Sequence, residues 1–171
     1  HLGGNSCEMK EIHQLSLEYN FRVIEDASHA IGGSYNNKPI GNCEFSDGAI
    51  FSFHPVKIIT TGEGGCFVTN NKKLFESVLK NRSHGITKNI SDFKNPEFYP
   101  WSYEQQSLGF NYRLNDIQAA LGISQLKRIK EIVNERNKKL DFYRKLIDGE
   151  KISLLKILKS NITSGHLAII S

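Results

Sequence analysis

Residues 7–19 place Ile12, Leu15 and Tyr19 three and four apart, which predicts a helix with Asn5 or Ser6 as its cap and Asn20 as a left-handed stop. The period then shortens. Phe21 to Ile24 form a short apolar run closing on Glu25 and Asp26, the pattern of a strand. Glycine and asparagine crowd residues 32–42, with Pro39 and Gly41 among them, which predicts a turn region folded as a small hairpin. Two further strands are predicted over 49–53 and 65–69, and from Asn71 the residues Leu74, Phe75, Val78 and Leu79 form a two-turn helical stripe. Strands alternating with helices predict an α/β fold with helices layered on a largely parallel sheet. In such folds ligand chemistry collects at the carboxyl ends of strands, where Asp26 and the segment after Phe53 lie.

Residues 86–110 break the pattern. They are polar and irregular but carry Phe93, Phe98, Tyr99, Trp101, Tyr103 and Phe110, and a loop so rich in rings is usually functional or packed on a partner. Asn115 and Gln118 then resemble a capping box. Beyond them Ile129, Val133, Leu140, Tyr143 and Ile147, interrupted by Arg136, predict one long helix or two consecutive ones reaching to about Asp148 and Gly149. Weak strand signals follow at Ile152–Leu155 and Leu167–Ile170.

Composition narrows the class. The 171 residues are 39% hydrophobic and 23% charged, with 14 Gly and 4 Pro, which excludes collagen, low-complexity disorder and a disulfide-stapled miniprotein. No apolar run reaches the ~20 residues of a membrane-spanning helix, and the first residues have no signal-peptide pattern. Cys7, Cys43 and Cys66 are odd in number and contain no CxxC pair, so reduced thiols in a cytosolic protein are expected and a zinc site is not. The net charge of +4 is uneven: residues 127–159 hold eleven Lys/Arg against five Asp/Glu, while the rest of the chain holds eleven against thirteen. That segment is a candidate nucleic-acid surface. Its charges are not interleaved with aromatics, however, and a solvated helix face is the better reading.

Candidate chemistry centres on Lys57 in FSFHPVK, between a buried-looking strand and the glycine-rich TTGEGG. Partial desolvation at such a place lowers an ammonium pKa and lets a neutral amine form a Schiff base. By position alone a surface lysine beside a turn fits as well. Asp26 shifts that balance, because a carboxylate at a strand end behind Val23 and Ile24 is costly without a cation or donors. A pyridoxal phosphate enzyme requires such an acid to keep the pyridine nitrogen protonated. Ser52, five residues before Lys57, is a weaker candidate for binding a phosphate. TTGEGG lacks the GK[ST] ending of a P-loop, which argues against triphosphate chemistry.

EDASHAIGG, FSFHPVKIITTGEGG, RSHG and LGFNYRLNDIQAALGISQLK occur in that order, preceded by HLGGNSCEM. Together they resemble the DegT-type sugar aminotransferases, pyridoxal-phosphate enzymes of fold type I, almost continuously over residues 1–130. The resemblance implies that Lys57 is the Schiff-base lysine and Asp26 the partner of the pyridine nitrogen. It places His29 near the cofactor ring or its phenolic oxygen, Ser52 on the phosphate, and Asn111 on the phosphate of a neighbouring subunit's cofactor, so a homodimer sharing its active sites is expected. His54, Arg82, His84 and Arg113 are motif residues without an assigned task, and Glu25 and Glu63 are expected in helix-end or surface roles. A lysine rather than a histidine at position 57 implies transamination rather than dehydration, with glutamate as donor and a nucleotide-linked 4-keto-6-deoxy sugar as acceptor.

The same resemblance divides the chain into the later portion of a cofactor-binding large domain (1–113), a helical connection (114–149) and the start of a small domain (150–171), with SGHL at 164–167 as that domain's opening strand. Family members carry the lysine near mid-chain, whereas 56 residues precede it here, so a fragment is expected. The competing expectations are a non-catalytic remnant that keeps the dimer-forming helices, and a basic nucleic-acid binder.

Overall fold

The computed structural model describes residues 1–94, 99–147 and 152–171. They fall into two compact units, one formed by His1–Asn70 with Asp116–Ser171 and the other by Asn71–Asn115. Among the described residues no helix is long and apolar enough to cross a membrane.

The first unit opens with a 3-10 turn at Leu2–Gly4 and helix α1, Met9–Tyr19. α1 starts later than its apolar spacing predicts. Ser6 Oγ donates to the Cys7 carbonyl and the Cys7 amide donates to His1 Nδ1, so neither Ser6 nor Asn5 caps the helix and Glu8 holds the cap position. Its inward face also differs: Met9 and Ser16 are buried, while Leu15 and Tyr19 are exposed. Asn20 does stop the helix, with φ 51° and its amide on the Ser16 carbonyl.

Strand β1 is Ile24–Asp26, shorter than the apolar run, because the Val23 amide is taken by the Asp47 carboxylate and Phe21 stays exposed. β2 (Ser34–Tyr35) and β3 (Lys38–Pro39) form the expected hairpin, with Asn36 and Asn37 both at positive φ, as a two-residue primed turn requires. β4 (Gly48–Ser52) pairs in parallel with β1, Asp26 opposite Ile50. β5 (Gly65–Val68) pairs with β4 antiparallel, Phe51 opposite Cys66. The three-stranded sheet is therefore mixed, because residues 53–64 return as a loop and not as the helical crossover that a parallel neighbour needs. One face of the sheet buries Ala49 and Phe51 with Ala27, Ala30, Ile40 and Cys43. Residues of opposite parity, Ile24, Asp26 and Ile50, stay accessible.

The second unit holds helix α2, Lys72–Arg82, started by Asn71 Oδ1 accepting from the Leu74 amide. A hairpin pairs β6 (Ile86–Thr87) with β7 (Glu104–Gln105). His84 and Gly85 both have positive φ, and the His84 amide donates to the Phe110 carbonyl at 2.8 Å while Ser83 bridges Asn111. The RSHG and GFNYR segments thus clasp each other.

Back in the first unit, the long helical stretch is two helices, α3 (Asp116–Leu126) and the basic α4 (Ile129–Leu146). Val133 and Leu140 turn inward from α4, and the charged side chain between them, Arg136, donates to the Gly165 carbonyl at 3.2 Å. Asp148 and Gly149, where the sequence places the helix end, lie outside the described residues, as does Phe98. In the tail, Ser153 and Ser171 exchange amide–carbonyl bonds of 2.9 and 3.0 Å and Leu154 bridges Ile170, so the two weak strand signals pair with each other.

Candidate active site

Asp26 ends β1 and Ser52 ends the adjacent parallel strand β4, on the same side of the sheet by the two-residue alternation. The Asp26 carboxylate accepts from the Ser28 amide at 3.0 Å, and the hydroxyl and amide of Ser28 together hold its pKa below the usual carboxylate range. It is therefore an accessible, ionised acid at neutral pH. Ser52 is half-buried, its Oγ facing the His54 amide at 3.4 Å.

Lys57 follows a tight turn closed by its own amide on the His54 carbonyl at 3.0 Å. Its placement is decided by its neighbours. Ile58 and Ile59 are 4% and 2% exposed and pack with Val133, Ile129 and Ile132 of α4. Burying two adjacent large side chains gives each about 2 kcal/mol of transfer free energy and leaves the preceding residue little freedom. The next turn is anchored to α3. Gln125 Oε1 accepts from the Thr60 amide at 2.9 Å and Gln118 Nε2 donates to the Glu63 carbonyl at 3.0 Å. Between these two, Gly122 lies so close that an added Cβ would stand 2.8 Å from Thr61 Cγ2. Gln118, Gly122 and Gln125 share one helix face. TTGEGG is thus a docked turn, and the side chain of Glu63 is solvent-exposed, as expected.

His29 joins the two strand ends electrostatically. Burial and the Lys57 charge lower its pKa, while Asp26 acts in the opposite direction. Its Nδ1 accepts from the Gly3 amide at 3.4 Å. The ring lies 4.4 Å, centroid to centroid, from that of His166. Burial, then the charges of His29, Lys57 and Arg136, bring His166 down to about 4.

Asp26, His29, Ser52 and Lys57 belong to the first unit. Asn111 belongs to the second, where it is exposed and bridges Ser83. Arg113 is exposed and His54 is exposed. Glu25 departs from expectation. It is buried on the inner face of the sheet, with one carboxylate oxygen 2.7 Å from His1 Nε2 and the other accepting from Ser46 Oγ at 2.5 Å, and burial raises its pKa. His1, Ser164 and His166 are not expected at this place from the sequence either. Their only signal there is the polar residue within the short HLGG and SGHL segments.

An accessible carboxylate held ionised, a lysine on an immobilised turn and an imidazole that feels the charge of both fit a pyridine-type cofactor. Asp26 matches a ring nitrogen that must stay protonated, and Lys57 a carbonyl carbon that takes an amine.

The DegT/DnrJ/EryC1/StrS aminotransferase family matches residues 1–170. A UDP-4-amino-4,6-dideoxy-N-acetyl-beta-L-altrosamine transaminase of Campylobacter jejuni is 43% identical over 166 residues, which are 96% of this chain and 41% of that protein. Among solved structures, Helicobacter pylori PseC, an aminotransferase involved in the biosynthesis of pseudoaminic acid, superposes with a TM-score of 0.86 at 35% identity, covering 99% of this chain and 43% of that one. The PMP-form of a putative sugar aminotransferase, Spr1654 of Streptococcus pneumoniae, gives a TM-score of 0.82 at 25% identity over 98% of this chain and 46% of that one. The α/β architecture is that of the fold type I aminotransferases. The chain spans about 41% of the length of the curated relatives it matches.

Proposed function

The chain belongs to the DegT/DnrJ/EryC1/StrS aminotransferase family, and from that premise we propose that it carries the lysine half of the active site of a pyridoxal-phosphate-dependent nucleotide-sugar aminotransferase. The observation that carries this reading is Lys57 itself, set on a turn locked by Ile58, Ile59, Thr60 and Thr61, its charge and that of the ionised Asp26 both acting on His29. The cofactor, when bound, supplies an electron sink for charge that develops on the amino-bearing carbon.

Lys57 would move the proton between the amino-bearing carbon of the substrate and the cofactor carbon, in one direction for the donor and in reverse for the sugar. Asp26 holds the ring nitrogen protonated, His29 borders the ring, and Ser52 donates to the phosphate. Asn111 reaches the cofactor phosphate of a second subunit, so the working enzyme is a homodimer. Glutamate is the donor. The acceptor is a UDP-linked 4-keto-6-deoxy sugar, a reading favoured by the names of the relatives and in keeping with glycan biosynthesis in the cytoplasm. Residues 1–113 as large domain, 114–149 as connection and 150–171 as the start of the small domain remain our proposed division.

Borohydride reduction of the full-length protein loaded with pyridoxal phosphate, followed by peptide mapping, tests the assignment. The label is expected on Lys57, and a label on another lysine overturns it.

A further inference from the structure

Residues 163–166 form a strap tied down from three sides. From α4, Arg136 donates to the Gly165 carbonyl at 3.2 Å and Asn137 Nδ2 to the Thr163 carbonyl at 2.8 Å. From the turn at the start of the chain, the Gly4 and Gly3 carbonyls accept from the Ser164 and His166 amides at 3.1 and 3.0 Å. From the loop after β1, the His29 carbonyl accepts from Ser164 Oγ at 2.6 Å. Ser164 is wholly buried, and Gly4, at φ 98°, passes so close that a Cβ there would run into the Ser164 hydroxyl. So many fixed points around four residues exceed what a loosely packed tail needs, and their joint effect is to lay the His166 ring on the His29 ring, tilted by 37°.

We propose that His166 is a positioning residue of the candidate active site, holding the His29 imidazole in one plane and one tautomer through ring-to-ring contact. The inference rests on the reading that puts His29 beside the cofactor. Because His29 Nδ1 accepts from the Gly3 amide, the ring proton sits on Nε2, which becomes a donor on the opposite edge. That single long bond does not fix the broad, two-fold torsion of an imidazole ring, and a second ring against its face does. The contact requires at least one ring neutral. The charged groups around the pair are Lys57, Arg136, Asp26 and the His1 amino group, and for His166 burial, then His29, Lys57 and Arg136, oppose protonation. His166 Nδ1 is buried without a hydrogen-bond partner among the described residues, so the ring engages this site through its face.

The test uses the full-length protein and two variants. Nitrogen-15 spectra of the His29 side chain, recorded without cofactor, report the tautomer, and circular dichroism in the visible band of bound pyridoxal phosphate reports the asymmetry around it. His166→Ala is expected to lower the ratio of Nε2-protonated to Nδ1-protonated His29 about fivefold, the scale of an aromatic pair contact, and to weaken the visible band. His166→Phe keeps a ring and is expected to retain both signals. Unchanged His29 spectra in His166→Ala overturn the proposal, as does a His166→Phe protein that behaves like the alanine variant. Failure of the underlying site reading shows separately, as borohydride labelling away from Lys57, and leaves the His29 spectra free to decide this inference.

Discussion

The turn that carries Lys57 and the segment Asn71–Asn115 treat apolar side chains in opposite ways. Around Lys57, two successive isoleucines are sealed under α4, Thr60 is bonded to α3 and Thr61 packs against Gly122, so the backbone is held by groups of its own unit. In the second unit, no residue of α2 is buried and Trp101, Leu108, Phe110 and Tyr112 are exposed, with the rings stacked in local pairs, Tyr99 on Trp101 and Phe110 on Tyr112. The difference separates a segment whose backbone is fixed beneath the proposed Schiff-base lysine from one that presents exposed rings. A lysine nucleophile needs a fixed backbone beneath it, whereas exposed rings on a hairpin suit a face that something else covers.

The sharpest contrast is in chemistry. Lys57→Ala in the full-length protein is expected to lower turnover about 10⁴-fold and to abolish the borohydride-fixed adduct, because no other group on that turn supplies an amine. Exposed Lys72→Ala, in the second unit, serves as the comparison and is expected to leave both unchanged.

Next comes packing. Ile59→Ala empties a fully buried site and is expected to cost about 3 kcal/mol in urea unfolding. A loss below ~1 kcal/mol would show that α4 does not anchor the turn.

Acid acts more locally. The folded pKa of His166, about 4, lies below the ordinary 6.5, so the unfolded strap binds the proton more readily. The stabilisation is therefore present above pH 6.5 and lost as pH falls through about 4. Hydrogen exchange at the His166 amide, corrected for its intrinsic rate, is expected to quicken over that window in the wild type and not in His166→Phe.

In the second unit effects are smaller. Asn71→Ala removes the cap of α2 and is expected to cost about 1 kcal/mol, read from the urea midpoint. Leu108→Ser, on the exposed face, is expected to stay within about 0.5 kcal/mol, and a larger loss would mean that this leucine belongs to a core after all.

Much of this is legible along the chain. The Asn36–Asn37 turn, the Asn20 stop and the Asn71 cap follow from local backbone preferences, which need no tertiary partner. The strand ends carrying Asp26 and Ser52 follow from apolar runs closing on polar residues. What the chain conceals is informative. Glu25 and Asp26 are neighbours, yet one is buried between His1 and Ser46 and the other is accessible, because strand alternation sends them to opposite faces. Only the identity of the covered face decides which carboxylate is free, and a three-residue strand is too short for its pattern to reveal it. The inward face of α1 escapes the apolar spacing for a related reason: two small contacts, Met9 and Ser16, outweigh a more apolar stripe.

The sequence by itself determined the family and the order of the main elements and singled out the residues proposed to bear chemistry, since these depend on residue type and on spacings of a few positions. The tertiary structure decided the direction of β5, the docking of TTGEGG on α3, and the meeting of His29 with His166 across 136 intervening residues. Those outcomes depend on which faces find each other after the loops close. Loop closure costs little more for a long separation than for a short one, so distance along the chain carries almost no information about them.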